Sequence, residues 1–136
     1  MSTAQQVVDH MMLHDKFSQW LGIDVIEVRE GYSKIKMIVR DEMVNGFGIA
    51  HGGIAFSLAD SAFAFACNNR NNLSVALDTS INFTKAVNTG DTLIAEANEI
   101  HNGRSTGLYL ISIFNQHNEQ VAHFKGNCFR TGKTHI

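Results

Sequence analysis

The sequence predicts an α+β domain in which one long helix is wrapped by a curved antiparallel sheet of about six strands. Three observations carry that reading. Between Gly53 and Cys67 the chain reads IAFSLADSAFAFA, where only Ser57, Asp60 and Ser61 interrupt the apolar residues. A helix that is apolar on nearly all sides is a buried one. Six runs of strand character occupy 23–28, 33–39, 74–84, 92–101, 106–115 and 120–130, separated by Gly, Asn and Asp clusters. With only one long helix to cover a sheet face, the sheet has to curve around it. The 136 residues make a single domain, 1–136, and an apolar fraction of 44% with nine Phe is enough for a core.

Taken in order, residues 4–21 have a helical period. Val7, Val8, Met11, Met12, Trp20 and Leu21 share a face. His10 and His14 are spaced as metal ligands on a helix are, but no third ligand accompanies them, so they read as a solvated face. Gly22 ends the helix. Two strands follow, joined by Glu30-Gly31, and the alternation along 33–39 leaves one face wet. After a loop at 41–51 comes the long helix, which the Asn-rich segment 68–72 breaks. Asn102-Gly103 predicts a tight hairpin between the fourth and fifth strands. Proline is absent, so turns rest on Gly, Asn and Asp. One helix cannot cover both faces of six strands, and the uncovered face and edges predict a partner chain.

A formal net charge of −2 excludes a basic nucleic-acid footprint and a polybasic membrane anchor. No stretch approaches the ~18 apolar residues of a membrane-spanning helix. The opening MSTAQQVVDHMMLHDKF lacks the basic-then-apolar layout of a secretory signal. Cys67 and Cys128 form no Cys-x-x-Cys pair and read as two buried thiols rather than a disulfide. The expectation is a soluble, cytoplasmic protein.

Two readings compete for Asp60. In one it is a helix-interior carboxylate bonded to backbone, Ser57 or Ser61. In the other it is a catalytic carboxylate whose proton affinity is raised by an apolar cleft, since an unpaired buried charge costs several kcal/mol. Ahead of it stands His51-Gly52-Gly53. A helix N-terminus has unpaired N–H groups and partial positive charge, and two glycines leave those groups unscreened for a developing oxyanion. The plainer reading is that glycine permits a tight turn into the helix. Gly52 and Asp60 are eight residues apart. At ~1.5 Å per residue that is ~12 Å along one helix, whereas reacting atoms must come within ~3.5 Å. If both act on one substrate, they come from two chains, with antiparallel helices across a two-fold axis.

Asn45-Gly46, His51-Gly52-Gly53 and Ala59-Asp60-Ser61-Ala62-Phe63-Ala64 together resemble the hotdog-fold acyl-CoA thioesterases, most closely those of the PaaI type from phenylacetate degradation. Gly90-Asp91-Thr92-Leu93 and Gly103-Arg104-Ser105-Thr106-Gly107 extend the likeness over nearly the whole chain. The resemblance implies dimers that pair into homotetramers, a site between subunits, an acyl-CoA substrate and no cofactor. It implies Asp60 as nucleophile or general base, the Gly52 N–H as polariser of the thioester carbonyl, Asn45 as a holder of that carbonyl or of the attacking water, and His51 as a catalytic-site residue that shapes the helix start or hydrogen-bonds the thioester. Gly53 and the loop residues Arg104, Ser105 and Thr106 are implied to contact substrate. So is a hydroxyl on the following strand, for which Thr79 and Ser80 are both candidates. Relatives often carry a Pro after that strand, where this chain has Thr84-Lys85-Ala86.

The implied reaction is hydrolysis of an aromatic, phenylacetyl- or hydroxyphenylacetyl-like acyl-CoA, with Phe47, Phe56, Phe63 and Phe65 as candidate walls. Lys85, Arg104, Lys125 and Arg130 are candidates to meet coenzyme A phosphates. A medium-chain aliphatic substrate and a non-catalytic acyl-CoA-binding role on the same fold are the alternatives. A hydratase of this fold pairs an Asp with a His ahead of the helix, where this chain has Asn45 and His51.

Overall fold

The computed structural model describes residues 1–136. Helix α1 (Thr3–His14) and the short α2 (Lys16–Leu21) precede strands β1 (Asp24–Arg29) and β2 (Tyr32–Ile38). A single 3-10 turn at Asp41–Met43 leads into the long α3 (Gly52–Asn68). Strands β3 (Ser74–Phe83), β4 (Thr92–Asn102), β5 (Thr106–Phe114) and β6 (Gln120–Arg130) complete the chain. All six strands join one sheet in the order β1-β2-β4-β5-β6-β3, and every pairing is antiparallel. The predicted α+β architecture is the one observed.

The sheet curves around α3. Leu58, Ala59, Ala62, Phe63, Phe65 and Ala66 of the helix are buried against Ile35, Met37, Leu93, Ala95, Ile111 and Phe124 of the strands. Each large apolar side chain so buried contributes ~1.5–3 kcal/mol. Small residues let the layers approach: Gly126 lies under the Phe63 ring, where a Cβ would come within 2.8 Å of three ring carbons. The outer face of β2 carries Lys34, Lys36 and the exposed Ile38, so the predicted wet face is present. On α3 one stripe stays partly open: Phe56, Ser57, Asp60 and Ala64 are half-buried while the rest of that part of the helix is covered.

Three local expectations are corrected. The predicted helix 4–21 is two helices, because Asp15 caps α2. Its carboxylate accepts from the Ser18 N–H at 2.9 Å and from Ser18 Oγ at 2.6 Å. The break turns Trp20 out to 46% exposure, while Val7, Val8 and Leu21 stay buried. Gly22 still terminates the second helix in the left-handed region, φ 77°. The β4–β5 hairpin exists, but Asn102-Gly103 is not its two-residue turn. A bulge between Glu99 and His101 shifts the register, Asn102 pairs with Gly107, and the loop is 103–105.

Candidate active site

His51 occupies the N-cap of α3. Its Nδ1 accepts from the Gly53 N–H at 2.8 Å, and its own N–H donates to the Met43 carbonyl at 2.8 Å. An accepting Nδ1 places the ring proton of a neutral imidazole on Nε2. Both glycine N–H groups were expected to be open. Only the Gly52 N–H is, because the His51 ring takes that of Gly53.

Gly52 opens onto a cleft of about 400 Å³ whose apolar walls include Ala55, Phe83, Leu93 and Val121. The Phe83 ring stands over it: a Cβ on Gly52 would lie 3.1 Å from Phe83 Cζ. Asn45 lines the same cleft. Its Oδ1 is occupied by the Phe47 N–H at 2.9 Å, and its backbone closes the loop with Ile49 and Gly48. The side-chain amide N–H₂ is therefore the free donor of Asn45. One helix end and one loop thus present two N–H donors to an apolar space.

Asp60 is not in that cleft. It lines a separate hollow of about 260 Å³ on the open stripe of α3, with Asp15, Ser18, Phe56, Ser57 and Ser61. The two serines that could satisfy it bond elsewhere. Ser57 Oγ donates to the Gly53 carbonyl at 2.7 Å, and Ser61 Oγ shares a 2.8 Å hydrogen bond with Ser18 Oγ. Burial, and then the nearby Asp15 charge, push the Asp60 carboxyl above its usual 3.8. The carboxylate is unpartnered, half-buried in a hollow of mixed polar and apolar lining, and ~12 Å along the helix from Gly52.

The sheet register separates Thr79 from Ser80. Thr79 pairs with Gly126 and Ile81 with Phe124, whose side chain is buried under α3, so Thr79 faces the helix. Ser80, paired with Lys125, points to the other face and is exposed. Arg104, Ser105 and Thr106 sit at the far end of the sheet from the Gly52 cleft. Thr106 pairs with Phe129, whereas Val121 lines the cleft, and eight strand residues span ~27 Å. Within one chain, then, Gly52, Gly53, His51 and Asn45 gather at one end, and Asp60, Thr79 and the 104–106 loop lie away from them.

Several secondary candidates change role. Phe63 and Phe65 are core residues. Phe56 stacks edge-on against Phe124 beside Asp60, and Phe47 is 89% exposed on its loop. Arg130 is buried and cannot meet a phosphate. Its guanidinium donates to the Cys67 carbonyl, Ser74 Oγ, Asn102 Oδ1 and Tyr109 OH. Lys85 does line the Gly52 cleft, its Nζ 3.4 Å from Glu119 Oε2. Cys67 and Cys128 are free, buried thiols. Phe83, Asp15 and Ser18 are among the site-lining residues that sequence reasoning missed. The Asp15-x-x-Ser18 spacing of an N-cap was the available signal for the second.

The thioesterase superfamily matches this chain over residues 47–122. The acyl-coenzyme A thioesterase PaaI of Escherichia coli is 43% identical over 131 residues, covering 96% of this chain and 94% of that protein. The chain belongs to the thioesterase superfamily. It is a thioester hydrolase of the PaaI type. The solved structure of the E. coli PaaI protein, from the phenylacetic acid degradation operon, superimposes on this thioesterase with a TM-score of 0.95 at 42% identity, over 97% of this chain and 96% of that one. That agreement extends to the wrapped central helix, which identifies the fold as the hotdog fold. A Streptococcus mutans protein solved with acetyl CoA bound has a TM-score of 0.80 and 31% identity, over 82% of this thioesterase and 90% of that chain.

Proposed function

We propose that this thioesterase hydrolyses aromatic acyl-CoA, of the phenylacetyl or hydroxyphenylacetyl kind, to the free acid and coenzyme A, in a site shared by two copies of the chain. The observation that carries the reading is the split between the free Gly52 N–H at an apolar cleft and the unpartnered Asp60 carboxylate a helix-length away. The coenzyme A link draws on the S. mutans relative with acetyl CoA, and the aromatic acyl group on the operon of the E. coli relative.

In this reading the thioester carbonyl oxygen accepts from the Gly52 N–H and the Asn45 amide, whose donors match the oxyanion that forms on attack. Asp60 of the second copy removes a proton from water, and the resulting hydroxide adds to the carbonyl carbon. The tetrahedral adduct collapses by breaking the C–S bond, and the proton returns to the leaving thiolate. In a second route Asp60 itself attacks, giving a mixed anhydride that water cleaves. Thr79, the helix-facing hydroxyl, and the loop at Arg104, Ser105 and Thr106 accompany Asp60 from that second copy. The β3 edge, with Val75 at 48% and Leu77 at 56% exposure, is the surface offered for self-association into a homodimer and from there a homotetramer. No helix is long and apolar enough to cross a membrane, and we place the enzyme in the cytoplasm.

The test is free-thiol release from aromatic and aliphatic acyl-CoAs by wild type and Asp60→Asn. Turnover led by aryl-acetyl thioesters and lost in Asp60→Asn supports the reading. A preference for medium-chain aliphatic thioesters replaces the substrate assignment, since the apolar cleft walls suit both. Tight binding without turnover makes the protein a non-catalytic acyl-CoA binder. Mixing Asp60→Asn with Gly52→Pro subunits tests the shared site: mixed dimers regain activity if each copy supplies one half.

A further inference from the structure

The hollow around Asp60 holds a second carboxylate that thioester hydrolysis as described does not use. Asp15 comes from the break between α1 and α2, and it lines the same space. Both of its oxygens are engaged: Oδ1 accepts from the Ser18 N–H at 2.9 Å and Oδ2 from Ser18 Oγ at 2.6 Å. Since the Ser18 hydroxyl proton goes to Asp15, Ser18 Oγ accepts from Ser61 Oγ across 2.8 Å. Ser18 is 1% and Ser61 9% exposed, so this bridge is dry, and Ser61 is the chain neighbour of Asp60. Two donors on the carboxylate fix its position. Asp15 cannot turn to share a proton with Asp60.

We propose that Asp15 is a positioning residue for the reaction: a carboxylate fixed by Ser18, which Ser61 in turn holds, and set in the same hollow as Asp60 to tune it as the base. The proposal rests on the thioesterase reading. Within one chain the surroundings leave the effect uncompensated. No Lys, Arg or His lines the hollow. The inner face of the sheet meets α3 with apolar side chains such as Met37, Leu93, Ile111 and Phe124. Along α3, Cys67 is the other titratable group that senses Asp60. Its thiol is pushed up by its hydrogen bond with Cys128 and by burial, and stays neutral. Arg130 reaches the Cys67 carbonyl, about two turns beyond Asp60. A fixed like charge in a partly desolvated site opposes ionisation of its neighbour, in the same direction as burial does here. A carboxylate with higher proton affinity removes the proton of water more effectively, provided the working pH keeps it ionised.

The test compares wild type with Asp15→Asn, which keeps a capping oxygen and removes the charge. The acid limb of the kcat/KM–pH profile should move to lower pH in Asp15→Asn, and the plateau should fall as Asp60 becomes a weaker base. Asp15→Ser, another capping residue without charge, should show the same limb. A direct carbon-13 NMR titration of the Asp60 carboxyl reads the same quantity without catalysis. An Asp60 titration that is the same in all three proteins overturns the proposal, whatever happens to thermal stability. If no acyl-CoA is turned over, the thioesterase reading fails, and the NMR titration still decides the role of Asp15.

Discussion

Replacing His51 with Ala separates a helix cap from a catalytic acid. The ring accepts one hydrogen bond, from the Gly53 N–H at 2.8 Å, and His51 is exposed. Loss of an N-cap side chain costs about 1 kcal/mol. For a chain of this length that lowers Tm by roughly 3–5 °C. The consequence for activity is geometric. With the Gly53 N–H released, the first turn of α3 frays, and the Gly52 N–H loses its fixed aim into the cleft. Gly53→Ala should act alike, since a Cβ there would lie 3.0 Å from His51 Nδ1 and displace the ring.

The deciding variant is His51→Ser, because serine caps helices as well as any residue but offers no imidazole. Differential scanning calorimetry and thiol-release kinetics on the same preparations read both quantities. Recovery of Tm together with kcat/KM in His51→Ser assigns His51 to holding the helix start. A His51→Ser protein as stable as wild type yet as slow as His51→Ala refutes the argument and gives the imidazole a chemical role. An unchanged Tm in His51→Ala refutes the capping energetics.

Asp60→Asn should melt higher than wild type at neutral pH, with the sign fixed by linkage. The folded carboxyl binds its proton more tightly than the unfolded one, so wild-type stability falls as pH rises from the usual 3.8 through the raised folded value, and Asp60→Asn lacks that fall. Calorimetry across that range should show the two proteins diverging as pH increases. Gly126→Ala should cost about 1–3 kcal/mol by overpacking against the Phe63 ring, read as a drop in the denaturant midpoint. Arg130→Met should destabilise the fold by leaving the buried Ser74 Oγ and Cys67 carbonyl without their donor, about 1–3 kcal/mol per stranded group. Its KM for acyl-CoA should stay at the wild-type value once the folded fraction is corrected for, which a phosphate-binding arginine would not allow.

How far the sequence spoke depended on whether the deciding partners were local. The buried α3 is written into one long apolar run that only Ser57, Asp60 and Ser61 interrupt, and the turns at Gly22 and Gly31 into glycines with positive φ. Apolar periodicity runs straight through the Asp15 break, so the Asp15-x-x-Ser18 capping spacing was the one local sign of it, and the bond to Ser18 makes it plain. The Arg130 role was unreadable, since its acceptors come from α3, β3, β4 and β5. Thr79 and Ser80 are adjacent and alike in sequence, and pairing with Gly126 and Lys125 tells them apart. Which glycine N–H stays free follows from a ring orientation that spacing does not encode.

The separation of Gly52 from Asp60 was legible by arithmetic alone, and the structure bears that separation out. Gly52 and Asp60 are held on one continuous α3, so no loop motion brings them together. A second copy laid parallel repeats the same ~12 Å offset, whereas an antiparallel copy cancels it. For Gly52 of one copy to face Asp60 of the other, the two-fold axis must cross α3 level with residue 56, midway between them. That level lies on the half-buried stripe of Phe56, Ser57, Asp60 and Ala64, the face of α3 that the chain's own sheet leaves partly open. The same operation moves the far-end residues Thr79 and Arg104 to Thr106 toward the cleft end of the other copy. In the proposed dimer, a helix with donors at its tip, a carboxylate at its middle and an open stripe between them supplies half of a site at each of two places, and the second copy completes both at once.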